Sequence, residues 1–123
     1  MGNKKKITAS LEDYIKVIYL LHEIDSSVRL IDIADRMSVS KPSAFKAVSQ
    51  LESMGLVEHI KFGPVHLTAQ GVEASRELLA RHETIKLFLM QVLSIGESIA
   101  CSEACSIEHS IHEVILKKMA SFI

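Results

Sequence analysis

The sequence is short of the features that mark secreted, membrane-bound or disulfide-stapled proteins. It has two cysteines in 123 residues, too few for the disulfide framework on which small secreted domains rely. Cys101 and Cys105 lie one helical turn apart, roughly 6 Å with parallel side chains, a poor geometry for pairing with each other. Metal ligation or free thiols are the expected roles. No apolar run reaches the length of a membrane span. The start, Met1-Gly2-Asn3-Lys4-Lys5-Lys6, offers neither the apolar stretch of a secretory signal nor the Ser or Thr at position 6 that myristoylation requires. A cytoplasmic protein with no membrane partner is expected. There is no internal repeat, low-complexity segment or linker.

Charge of one sign is also lacking. The net charge is −1; residues 1–62 carry nine Lys/Arg against eight Asp/Glu, and residues 63–123 carry five against seven. Non-specific attraction to nucleic acid should be weak, so any DNA binding has to rely on local groups and on dimerisation.

What is present is a pattern centred on residues 29–68. Leu30, Ile33, Ala34 and Met37 recur at the spacing of one helical face. A tight turn at Ser38-Val39 leads to Ser40-Lys41-Pro42-Ser43, where Ser40 suits an N-cap and Pro42 fits the first turn of a helix. Ala44, Val48, Leu51 and Met54 should face inward, leaving Lys41, Ser43, Lys46, Ala47 and Gln50 outside, and Gly55 should stop the helix. Two β-type runs, residues 56–60 and 65–68, flank the tip Phe62-Gly63-Pro64. Helix, turn, helix and hairpin make a winged helix-turn-helix. Ser40, Lys41, Pro42, Ser43 and Lys46 on the second helix, with Lys61 beside the hairpin tip, are the candidate DNA-facing residues. Short polar side chains allow close approach to a major groove, and lysines meet phosphates or guanine edges.

Around this unit the fold is expected to be mainly α. A first helix from Ser10 to Ile24 carries Leu11, Ile15, Ile18 and Leu21 as its stripe, with Asp13 as the acidic half of a capping box. Asp25-Ser26-Ser27 forms the turn that follows. A long helix from Ala69 to Leu93, capped by Thr68, is apolar around most of its second half. So much apolar surface exceeds what one copy can cover and points to a homodimer built on residues 78–93 and the last two helices. Capping-box patterns at Ser94-Ile95-Gly96-Glu97 and Ser110-Ile111-His112-Glu113 open a short helix, residues 98–109, and a final one. The expected division is a DNA-binding domain over residues 1–70 and a helical metal-binding and dimerisation domain over residues 71–123.

The chemistry concentrates in the short helix. Cys105, Glu108 and His109 stand at i, i+3 and i+4, which places a thiolate, a carboxylate and an imidazole on one face. Mixed S, O and N donors suit Fe(II), Mn(II), Co(II) or Zn(II) rather than Ca(II) or Mg(II). Three ligands leave a metal incompletely held, so at least one more has to come from elsewhere. A cysteine beside a solvated Glu-His pair would give the same spacing.

Glu12-Asp13-Tyr14-Ile15, the Leu30–Gly55 unit, Leu67-Thr68-Ala69-Gln70-Gly71, Arg81-His82-Glu83 and Glu103-Ala104-Cys105-Ser106-Ile107-Glu108-His109 occur in this order. The ordered set resembles the diphtheria toxin repressor family, the metal-dependent transcriptional regulators that include the iron-dependent repressors and the manganese transport regulator. It covers nearly the whole chain from Leu11 onward, in a short form without the family's SH3-like domain. The resemblance implies a dimeric repressor activated by Fe(II) or Mn(II), with Co(II) or Zn(II) substituting in vitro, that binds a palindromic operator in double-stranded DNA and controls metal uptake. Its implied metal ligands are Asp13, Cys105, Glu108 and His109, with His82 at the same or an adjacent site. Asp13 follows the manganese type and Cys105 the iron type.

Two lysines depart from the family pattern, Lys16 one turn after Asp13 and Lys86 one turn after His82. Each stands where a carboxylate would complete a second site, and a lysine ammonium repels a cation unless it swings away. Two other functions fit less well. A metal-free regulator sensing oxidants through Cys101 and Cys105 would need reactive thiolates, which the neighbouring Glu103 and Glu108 disfavour. A metallohydrolase would need a general base and an oxyanion hole, and neither motif is visible. No enzymatic role is expected.

Overall fold

The computed structural model describes residues 7–123; the Lys4–Lys6 segment, expected to be a basic arm, lies outside them. The chain divides into two compact units, Met1–Ser75 and Arg76–Ile123.

The first unit opens with α1, Ala9–Ile24. Its cap is Thr8 rather than Ser10: Thr8 Oγ1 accepts from the Leu11 amide at 3.2 Å, and the Thr8 carbonyl accepts from the Glu12 amide at 2.9 Å. Asp13 therefore stands beyond the capping turn and belongs to no capping box. Starting two residues earlier costs nothing, because Thr also caps well, and the stripe Leu11, Tyr14, Ile15 and Ile18 is buried as the periodicity requires. α2 spans Leu30–Met37 and begins with the Arg29 amide donating to Asp32 Oδ2 at 2.9 Å. It ends at Ser38, whose φ of 57° turns the chain sharply into α3, Lys41–Ser53. Ser40 caps α3 as expected, accepting from the Ser43 amide at 3.2 Å, and Gly55 (φ 77°) ends it. Ala44, Val48 and Leu51 are buried, and so is Ala47, which the sequence pattern had placed outside. Its methyl group widens the inward stripe of α3 to cover the core.

The wing is a hairpin of β1, Val57–His59, and β2, Val65–Leu67, paired antiparallel with Val57 opposite Leu67 and His59 opposite Val65. Val57 and Val65 point into the core shared by α1, α2 and α3. The Val65 amide also donates to the Val28 carbonyl at 2.7 Å, which ties the hairpin to the segment before α2. Thr68 then fastens the wing to α4, Ala69–Gln91. Its hydroxyl donates to the Gly55 carbonyl at 2.7 Å and accepts from the Gly71 amide at 3.1 Å. In the first turns of α4, the buried Ser75 hydroxyl lies 2.8 Å from the Gly71 carbonyl and 3.3 Å from that of Ile15.

In the second unit, α4 ends two residues before the expected Leu93, and Ser94 takes a left-handed φ of 57°. That conformation removes Ser94 from any capping role. α5, Glu97–Ile107, starts instead at Gly96 with no side-chain cap. α6, Glu113–Ser121, is capped by His112 Nδ1, which accepts from the Val114 amide at 3.1 Å. Ser110, the expected cap, closes the end of α5 instead, its backbone N–H donating to the Ile107 carbonyl at 3.0 Å. α6 buries none of its residues, and Val114, Ile115 and Phe122 are all more than half exposed.

The join between wing and α4 leaves no room for a side chain at Gly71. A Cβ at Gly71 would lie 2.0 Å from the Leu56 carbonyl oxygen, whereas one at Gly96 would meet nothing within 4 Å. Gly71→Ala should therefore lower the unfolding free energy by at least ~2 kcal/mol, since backbone rather than a flexible side chain must move. Gly96→Ser should stay within ~0.5 kcal/mol. Urea melts of both variants check this; equal midpoints would show that the join yields without cost.

Candidate metal centre and nucleic-acid surface

Four of the five expected metal ligands lie in the second unit, and the structure draws them together around His82. Its imidazole sits between two kinds of donor. Nδ1 lies 2.8 Å from Glu108 Oε1, and Nε2 lies 3.6 Å from Cys101 Sγ. Cys105 Sγ is 3.8 Å from Nδ1. One donor atom each from His82, Cys101 and Cys105 falls within 4.8 Å of the others, and no disulfide joins the two cysteines. The sequence leaves Cys101 open to metal ligation or a free-thiol role without placing it in the ligand set. Its place in the cluster follows from a signal that was available, the one-turn spacing to Cys105, but the facing His82 on α4 could not be seen from spacing along α5.

Glu108 organises the cluster. It is the C-cap residue of α5 and is fully buried, and a buried carboxylate is costly unless hydrogen-bonded or matched by positive charge. Oε1 meets His82, and Oε2 lies 3.7 Å from His109 Nε2. The backbone of the same residue is held as well: Arg81 donates from its guanidinium to the Glu108 carbonyl at 3.2 Å. A carboxylate oxygen at that distance suits the His82 tautomer with N–H at Nδ1, and the ring turns its Nε2 toward Cys101. A carboxylate that fixes the tautomer of a histidine is the usual support of a histidine ligand. With metal–sulfur bonds of about 2.3 Å and metal–nitrogen bonds of about 2.0 Å, tetrahedral coordination separates S and N donors by about 3.6 Å. The Cys101–His82 spacing fits that figure, so the residues suit a transition metal.

Lys86, one turn beyond His82, is directed to Glu97, with Nζ 3.4 Å from Oε2. It is the swung-away arrangement in which the ammonium is matched by a carboxylate. Asp13, the fifth expected ligand, is half-buried on α1 of the first unit.

In the first unit the expected DNA-facing residues Ser40, Lys41, Pro42, Ser43 and Lys46 are all exposed, as is Lys61. The Ser40 hydroxyl is engaged within α3, donating to Ser43 Oγ at 2.9 Å while it caps the helix. Lys41 and Lys61 line one cleft together with Arg29, Phe45, His59 and Phe62. Phe45, half exposed beside Lys46 and edge-on to His59 with ring centroids 6.2 Å apart, had no role in the sequence pattern.

Comparison with known proteins agrees with both halves of this description. Residues 6–63 match the family model of the iron dependent repressor N-terminal DNA binding domain, and residues 68–123 match that of the iron dependent repressor metal binding and dimerisation domain. An HTH-type transcriptional regulator of Methanocaldococcus jannaschii, itself uncharacterised, is 29% identical over 95% of this chain and 94% of its own length. The transcriptional regulator MntR of Escherichia coli O6:H1 is 34% identical over 91% of this chain and 72% of its own. The solved manganese regulator SloR superposes with a TM-score of 0.79 at 33% identity, over 94% of this chain and 54% of SloR. The chain thus spans about half the length of that solved regulator. Two adjoining domain matches that together span nearly all of it place the chain in the iron-dependent repressor family, a family of metal-dependent, DNA-binding transcriptional regulators and not of enzymes.

Proposed function

We propose that the chain is a homodimeric, metal-activated repressor that works in the cytoplasm, binds a palindromic operator through paired winged helices and controls metal-uptake genes. The observation that carries this reading is the His82–Glu108 pair with its cluster of metal-type donors, in a chain that also presents a helix-turn-helix. The proposed ligands are Asp13, Cys105, Glu108 and His109, with His82 and Cys101 forming the adjoining sulfur–nitrogen side. A bound divalent cation, Fe(II) or Mn(II), supplies the positive charge that these donors share. Glu108 orients His82, Arg81 fixes the backbone that carries Glu108, and Lys86 is matched by Glu97. With Asp13 on α1 engaged by the same ion as the residue 105–109 segment, hinge freedom falls and less ordering cost remains when the dimer meets DNA. Residues 1–70 would be the reading domain and residues 71–123 the metal-binding and dimerisation domain. Lys41, Pro42, Ser43 and Lys46 would face the major groove, with Ser40 holding the first turn of α3 and Lys61 on the flanking backbone.

The exposed apolar side chains of the second unit support dimerisation. Leu93, Ile99, Val114, Ile115 and Phe122 are each more than half exposed, more apolar surface than a small unit ordinarily leaves in water. Sedimentation at micromolar concentration should give a dimer; a stable monomer would remove this part of the reading.

For DNA, Lys46→Ala should weaken specific binding by about 1–3 kcal/mol through loss of one base contact. A duplex selected from a random-sequence library with the metal-loaded protein serves as probe, and an unchanged affinity at fixed salt would take Lys46 out of the readout. Metal preference is tested on the same duplex. Thiolate donors favour Fe(II), Co(II) or Zn(II), whereas Mn(II) prefers oxygen. Cys105→Glu should therefore shift activation toward Mn(II), and Cys105→Ala should weaken the response to every metal. Titrating DNA affinity against buffered Fe(II), Co(II) and Mn(II) for the parent and both variants decides it. A Cys105→Ala protein that answers every metal as the parent does would mean that Cys105 is no ligand.

A further inference from the structure

The wing tip carries a phenylalanine where the backbone would favour glycine. The Gly63 amide donates to the Ile60 carbonyl at 2.8 Å, which closes a four-residue turn, Ile60-Lys61-Phe62-Gly63. The third position of that turn is Phe62, with φ +58°. A positive φ at this position is the mark of turns that call for Gly or Asn, and a side chain there is strained. The ring is also 91% exposed. The Lys61 ammonium sits 5.5 Å from the ring centroid, a contact worth too little at an exposed site to offset the strain.

Behind the tip lies a cleft of about 670 Å³ whose walls are the start of α2, the exposed side of α3 and the hairpin. Arg29, Lys41 and Lys61 supply three cations around it, and Phe45 and Phe62 supply apolar faces, while the Asp32 and Glu52 carboxylates are taken up by the backbone amides of Arg29 and His59. The overall chain is slightly acidic, so three cations lining one cleft are a local concentration of basic groups. It is continuous with the DNA-facing residues of α3 through Lys41. An anionic polymer with flat apolar faces between its charges fits this lining, and a hairpin beside a helix seated in the major groove meets the neighbouring minor groove.

We infer that Phe62 is a DNA-bending wedge: the wing tip enters the minor groove flanking the site read by α3, the Phe62 ring inserts at a base step, and Arg29, Lys41 and Lys61 hold the phosphates on either side of the cleft. This rests on the DNA-binding reading above and adds a residue that reads the deformability of the duplex rather than its base edges. Operator choice would then depend on a flexible step, such as a pyrimidine–purine step, at the position under the wing.

Phe62→Gly is the informative variant because glycine suits the turn, so the fold should be as stable as the parent or more so. The probe is the duplex selected from a random-sequence library with the metal-loaded parent, carrying a fluorophore at each end. Phe62→Gly should bind about tenfold more weakly, the scale of one lost aromatic–base contact, and energy transfer between the ends should report a straighter duplex. Lys46→Ala should weaken binding while leaving the bend of the bound duplex as in the parent. If Phe62→Gly binds and bends the duplex as the parent does, or weakens binding with the bend unchanged, the wedge is overturned and the DNA-binding reading stands. If Phe62→Gly instead changes the sedimenting species of the DNA-free protein, the tip is a contact between copies and the wedge falls. If the metal-loaded parent selects no duplex at all, both readings fall.

Discussion

The second unit depends on one buried carboxylate. Glu108 is fully enclosed, and leaving such a group without partners costs several kcal/mol. Its side chain is satisfied by His82 at 2.8 Å, and its backbone carbonyl is held by Arg81 at 3.2 Å. Both partners come from one turn of α4. A residue fixed at side chain and backbone alike sets the end of α5 in register with α4, and that register carries Cys105 and Cys101 to the His82 ring. The arrangement is self-reinforcing, since the imidazole that satisfies Glu108 is also the ring whose other nitrogen faces the Cys101 sulfur. Hydrogen bonds in such a network strengthen one another in a low-dielectric setting, and an incomplete network is correspondingly expensive.

The first unit reaches comparable rigidity by backbone means. Thr68 bonds Gly55 and Gly71, the Leu56 carbonyl leaves no room for a Cβ at Gly71, and Val65 bonds Val28. Wing, recognition helix and the start of α4 are thereby one piece. A rigid reading head loses little conformational freedom on binding, so the exposed lysines of α3 can contribute to affinity without a large ordering cost.

Much of this was legible in the sequence where one physical signal dominated. The apolar stripe of α1, the α2–α3 pair, the Ser40 cap, the Gly55 stop and the hairpin all follow from periodicity and turn chemistry. The wing strands and α4 came out shorter than their apolar runs, because apolar character does not stop where hydrogen bonding does. Capping was the weakest guide: Ser10, Ser94 and Ser110 each offered a plausible start, and Thr8, Gly96 and His112 serve instead. A Ser three residues before an acid is a local pattern, and for α1 the choice among neighbouring caps goes with the register that buries its stripe. Within the site, the Cys105-Glu108-His109 spacing located the chemistry along α5. It could not show that His82 and Arg81 lie across from it, because a contact between two helices leaves no trace in the spacing of either one. Phe62 was missed for a related reason: a hairpin tip was expected there, but not that the phenylalanine, rather than the adjacent Gly63, would take the positive φ.

The neighbours of Cys105 bear on metal choice more than its position in the helix does. Spacing alone sets it with a carboxylate and an imidazole, a mixed set that any first-row divalent ion tolerates. The structure also groups its sulfur with Cys101 and the His82 imidazole, donors within 4.8 Å of one another. A second sulfur makes that side distinctly soft and raises affinity for Zn(II) relative to Mn(II). Affinity cannot then be what selects Fe(II) or Mn(II), because a site with these donors holds Zn(II) more tightly than either. Selection has to lie in geometry and in the response, that is, in whether the ion also engages the oxygen donors. Glu108 is central to that distinction, for its carboxylate orients the soft side through His82 while its second oxygen faces His109. On the proposed reading an ion held by sulfur and nitrogen alone would leave Glu108 as a support, whereas one that prefers oxygen would take the second Glu108 oxygen while the first keeps His82 oriented. Only the latter would also call on Asp13, so binding and activation would respond to different metals in one chain.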